Sequence, residues 1–74
     1  MSWEEINGID LVLIDIDSAG LVQKFVSNRG RLSEEELRFL KQCYSDLKIV
    51  VKELETEQRL YFSKLLIIVG QIIP

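Results

Sequence analysis

The sequence predicts an all-α fold: a helical hairpin with a long second helix, associating into an oligomeric helical bundle. Three observations predict it. Apolar residues recur at alternating spacings of three and four over much of the 74-residue chain. A helix-start signal stands at Ser33. No Gly or Pro then interrupts the chain from Glu34 to Val69. At this length residues 1–74 are expected to form one small helical domain.

The first predicted element is a helix over about 3–28. Ser2-Trp3-Glu4-Glu5 has the S-x-x-E form of a capping box. Ile6, Ile9, Leu13 and Ile16 follow at helical spacing, with Val12, Ala19, Val22 and Val26 near the same side. Gly8 and Gly20 weaken this helix by about 1 kcal/mol each against Ala. Asp17-Ser18 offers an alternative cap for a shorter helix, 18–28. In that alternative Asp10–Ile16 is a strand, Leu65–Ile73 its partner, and the fold β-α-α-β.

A turn is predicted at 28–32, where Asn28 and Gly30 supply the stop signal. Ser33-Glu34-Glu35-Glu36 then opens the long helix, 33–72. The Ser33 hydroxyl suits the Glu36 amide, Glu36 suits the Ser33 amide, and three glutamates suit the positive end of the dipole. Leu37, Leu40, Tyr44, Leu47, Val51 and Leu54 form an a/d seam, continued past Gln58 by Tyr61, Leu65, Ile68 and Ile72. These eleven positions are the candidate interaction residues. Gln58 occupies an a slot, where an amide specifies register or marks a bend. Glu34/Arg38 and Glu55/Arg59 are i,i+4 pairs in the favourable order. A forty-residue helix is about 60 Å long, more than a chain of this size can cover alone. It therefore either packs on another chain or breaks. The polar stretch 52–59 is the place to break, although it holds no Gly, Pro, Asn or Asp to make a tight turn.

Composition narrows the function. The chain has nine basic and twelve acidic residues, no His and one Cys. Zinc sites of Cys and His, intrachain disulfides and His-based triads need residues it lacks. The calculated pI near 4.8 disfavours nucleic acid as a partner, since phosphate binding needs a basic field. Residues 1–17 carry five acidic groups and no basic one; Lys24, Arg29 and Arg31 make the following turn basic. The N-terminus lacks the basic region of a secretory signal. The longest apolar run is too short for the ~20 residues of a transmembrane helix. The expectation is a soluble cytoplasmic protein, in keeping with a single reduced thiol. Cys43 is expected to be a small buried apolar residue rather than a nucleophile.

One segment has the look of chemistry. Asp10-Leu11-Val12-Leu13-Ile14-Asp15-Ile16-Asp17-Ser18-Ala19 resembles the first motif of haloacid dehalogenase-type phosphatases, an apolar strand ending in D-x-D-x-[TV]. The resemblance implies Asp15 as nucleophile, Asp17 as general acid/base and Mg²⁺ alongside. It covers about ten residues and departs from the motif at Ser18 and Ala19. Asp10, Asp15 and Asp17 also form an acidic face of a kind that meets cations or a basic partner.

The function expected from these features is non-enzymatic and needs no cofactor. It is a small helical protein-interaction or oligomerisation module of adaptor, co-chaperone-like or regulatory type. A homodimer or homotetramer is the expected partner state, with another protein on the apolar C-terminal helix as a further option. The alternatives are metal-dependent phosphotransfer through Asp15 and Asp17, and membrane-surface binding through residues 60–73, where apolar side chains point in nearly every direction.

Overall fold

The computed structural model describes residues 5–74, and the candidate cap at Ser2 and the position of Trp3 lie outside that range. The order of elements is β1 (Glu5–Ile6), β2 (Ile9–Asp10), α1 (Leu11–Ser27), α2 (Glu34–Glu53) and α3 (Thr56–Ile72). The fold is all-α, with α1 turned back on the helical run 34–72. That run is two helices, so the three helices pack pairwise as a bundle measuring 36 × 22 × 18 Å.

The N-terminal segment departs from the predicted helix 3–28. Asn7 and Gly8 have φ of 51° and 79°, the two left-handed residues of a tight hairpin turn. Antiparallel pairing sets Glu5 against Asp10 and Ile6 against Ile9. Asp10 then caps α1, its Oδ1 accepting from the amides of Val12 at 2.9 Å and Leu13 at 3.1 Å. The cap therefore sits at Asp10, not at Asp17-Ser18. Beyond it, residues 11–16 and 65–72 are helical, which removes both strands of the β-α-α-β alternative.

The predicted turn is present. Arg29 adopts φ 59°, Gly30 donates to the Phe25 carbonyl at 2.7 Å, and Asn28 donates to that of Lys24 at 2.9 Å. The six-to-one bond closes α1 in a Schellman-type stop. The Ser33 capping box is also present: Glu36 N–H donates to Ser33 Oγ at 3.1 Å, and Ser33 N–H to Glu36 Oε1 at 2.8 Å. Among the described residues the ion pair joins Lys24 to Glu36, tying α1 to α2 at this end. The expected Glu34/Arg38 and Glu55/Arg59 side chains are not within ion-pair distance of each other.

The long helix breaks at Leu54-Glu55. Leu54 is extended (φ −90°, ψ 161°) and 6% exposed, so the chain leaves α2 in order to bury this side chain. Glu55 is the N-cap of α3 but makes no side-chain capping bond. Thr56 follows at φ 52°, a left-handed conformation that a β-branched residue rarely takes. Such residues cost on the order of 1–3 kcal/mol, so burial in the core must hold this joint in place.

The core runs through Leu11 and Ile14 of α1, Leu40, Cys43, Leu47 and Val50 of α2, Leu54, and Phe62, Leu65 and Val69 of α3. The predicted seam is realised only in part. Leu40, Leu47, Leu54 and Leu65 are buried; Leu37, Tyr44, Val51 and Ile72 are half-buried; Gln58, Tyr61 and Ile68 are exposed. Two physical causes account for this. The a/d pattern assumes one partner, whereas α2 lies between two helices and so buries Cys43 and Val50 as well. The joint at 54–56 then resets the phase of α3, turning Phe62 and Val69 inward in place of Tyr61 and Ile68.

Candidate functional site

Asp15 and Asp17 do not share a site. They stand two residues apart on a helix, which turns successive side chains by about 100°, so the carboxylates diverge. Asp15 faces α3, where Tyr61 Oη donates to its Oδ1 at 2.5 Å. Asp17 lines a separate cavity of about 260 Å³, together with Gly8, Asp10, Ile14, Phe39, Cys43 and Asp46. The apolar strand that the phosphatase-type motif requires is helical from Leu11 onward. No group of three or more acidic, Cys or His side chains among the described residues is placed to hold a metal ion.

The Asp15 contact holds the Tyr61 phenol above its ordinary pKa, because the carboxylate accepts its proton and repels the phenolate. The folded-state value is the higher one. Any stability from this contact is therefore complete below about pH 10, the ordinary phenol value, and is lost as pH rises through the folded-state value. Ultraviolet titration should show the Tyr61 phenol ionising at lower pH in Asp15→Asn than in the wild type. An unchanged titration curve would mean that the hydrogen bond does not persist in solution.

Cys43 is 4% exposed, as expected of a packing residue. Burial raises its thiol pKa most; the neighbouring Ser18 hydroxyl offsets part of this, and Asp17 and Asp46 push it further up. Ser18 Oγ is itself fully buried and has no hydrogen-bond partner of normal geometry. A thiol held protonated and covered reacts only when the core opens. A disulfide reagent should thus modify the folded chain at least about a hundredfold more slowly than the urea-unfolded chain. Equal rates would place the thiol at the surface.

The exposed apolar surface is concentrated elsewhere. Among the described residues, Val12, Leu13, Ile16 and Val26 of α1 and Leu60, Tyr61, Ile67 and Ile68 of α3 are exposed, against only Phe39 and Ile49 of α2. Val12, Ile16 and Ala19 follow one another along α1 at helical spacing, as Tyr61, Leu65 and Ile68 do along α3. Between the two rows lies a groove of about 330 Å³, lined by Ala19, Val22, Gln23, Tyr61, Lys64, Leu65 and Ile68. Apart from Gln23, Lys64 and the Tyr61 hydroxyl, its lining side chains are apolar. No protein-family model matches the chain, and neither the curated proteins nor the solved structures include a significant match.

Of the predicted interaction residues, the groove gathers Tyr61, Leu65 and Ile68, while Leu40, Leu47 and Leu54 are spent inside the core. The α1 half of the groove was not among them. Its signal was available in the row Val12, Ile16, Ala19, Val22 and Val26. No helix among the described residues is long and apolar enough to cross a membrane.

Proposed function

We propose that the protein is a non-enzymatic interaction module that self-associates through the apolar face of α1 and α3. The observation that carries this reading is the groove between Ala19/Val22 and Tyr61/Leu65/Ile68, flanked by exposed Val12 and Ile16. Contiguous apolar surface of this kind on a small protein marks a contact surface, because water is displaced from both partners when it is covered. The rim supports a second copy as the partner. Asp15 on α1 and Lys64 on α3 give this face both signs of charge, which suits a self-complementary contact between two copies. Association of this kind places two or more copies of the chain side by side, which suits an adaptor or regulatory subunit.

The test is the mass in solution, by light scattering over a range of concentrations. The wild type should rise from 8.6 kDa toward twice that value with concentration, whereas Ile68→Glu should stay at 8.6 kDa. Ile68 is already 43% exposed, so glutamate there should cost the fold only about 1 kcal/mol. A wild type that stays monomeric throughout would remove self-association as the function. Co-sedimentation of that monomer with vesicles would then move the face to a lipid surface.

A further inference from the structure

We infer that the α2–α3 joint is a hinge, and that the chain exchanges α3 with a second copy when the hinge straightens into one helix over 34–72. Three observations at one place support this. The joint is short, with only Leu54 and Glu55 between the helices. It holds none of the residues that favour a turn, and it places β-branched Thr56 at φ 52°. Neither side is closed by a cap: α3 has no side-chain capping bond, and no backbone bond beyond the helix caps the end of α2. Straightening would move Thr56 into ordinary helical space and restore the amide-to-carbonyl ladder across 52–59.

The apolar pattern points the same way. Leu47, Val51, Leu54, Tyr61, Leu65 and Ile68 keep one heptad phase across the joint. The bent form uses that phase only as far as Leu54 and at Leu65, leaving Tyr61 and Ile68 exposed and burying Phe62 and Val69 instead. A straight helix cannot cover itself, since the surfaces that bury Phe62, Leu65 and Val69 lie on α1 and α2 of the same chain. A second copy carries those surfaces in identical form, so each chain's α3 fits the other's core without new side-chain chemistry. Short, strained connections favour this kind of exchange.

This exchange is independent of the groove described above, and the two predict different geometries. Labels placed by Lys41→Cys and Gln71→Cys, in a Cys43→Ala background, flank the Tyr44–Gly70 contact of α2 with α3. In the bent chain they are close together, within a molecule whose longest dimension is 36 Å. In the straight chain they are thirty residues apart on one helix, about 45 Å. Pulsed electron resonance on labelled chains diluted into unlabelled chains reads the distance within one chain. After refolding at high concentration, the dimer fraction should show about 45 Å and the monomer a short distance. Thr56→Gly and Thr56→Asn, which both accept a left-handed φ, should weaken this dimer by about a hundredfold, tenfold for each of its two hinges. Thr56→Val keeps the β-branch and should behave as the wild type. A dimer with a short intrachain distance, insensitive to Thr56→Gly but lost with Ile68→Glu, would overturn the exchange and leave the groove reading standing. A dimer with the long distance that survives Ile68→Glu would do the reverse. Failure to dimerise under any condition would overturn both.

Discussion

Leu47→Ala should remove a large share of the stability of this protein. Leu47 is fully buried midway along α2, which packs against both α1 and α3. Truncation there deletes three buried carbons and leaves a cavity that three packed helices cannot close, at a cost of about 2–5 kcal/mol. A 74-residue domain has roughly 4–11 kcal/mol in all, at 0.05–0.15 kcal/mol per residue. Circular dichroism melting should therefore fall by roughly 8–40 °C, at 4–8 °C per kcal/mol for a domain of this size. Ile49→Ala is the control. Ile49 lies on the same helix but is 41% exposed, and its loss should cost under about 1 kcal/mol. Equal melting temperatures for the two variants would mean that α2 does not present the 40–43–47–50 face to the core.

That face shows what the sequence made legible and what it did not. The helical character of α2, its start at Ser33 and the turn before it were all readable, because each rests on local chemistry: a capping box, a glycine and a run of good helix formers. The face α2 buries was readable only to within one residue in each turn. Tyr44 and Val51 fit a two-helix seam better than Cys43 and Val50, and only the presence of a third helix selects the latter pair. The polar stretch 52–59 marked where the long helix could break, but not that it does, because the causes of the joint at 54–56 are tertiary. Leu54 and Phe62 are buried at the expense of an unfavourable Thr56, and no residue between 52 and 59 announces it. The opening hairpin is a different case. Asn7-Gly8 between Ile6 and Ile9 is a strong hairpin signal, but the same isoleucines also fit a helix with Leu13 and Ile16, and the periodic reading hid the turn. The candidate site follows from these two differences. With α3 re-phased, Tyr61 and Ile68 leave the predicted seam and meet α1, so a groove forms where the sequence suggested only a continuous stripe.

Two helical glycines should answer substitution differently. A Cβ on Gly20 would meet nothing within 4 Å, and the residue is exposed on α1. Gly20→Ala should raise stability by about 0.5–1 kcal/mol, through the lower entropy of the unfolded chain and better helix propensity. A Cβ on Gly70 would lie 3.0 Å from Tyr44 Cε1 and 3.5 Å from its hydroxyl oxygen. Here α3 approaches α2 closely, and the tyrosine ring, with the Lys48 ammonium 5.0 Å from its centroid, fills the space against the glycine. Gly70→Ala forfeits its propensity gain to this contact and should be near neutral. Gly70→Leu must displace the Tyr44 ring or push the helices apart, and should cost about 1–3 kcal/mol, as overpacking of a core does. Urea unfolding of the three variants would read the difference directly. If Gly70→Leu were as stable as the wild type, Tyr44 would not lie against α3 in solution. If Gly20→Ala lost stability, the exposed middle of α1 would be packed against something, and the α1 side of the groove would already be covered in the free protein.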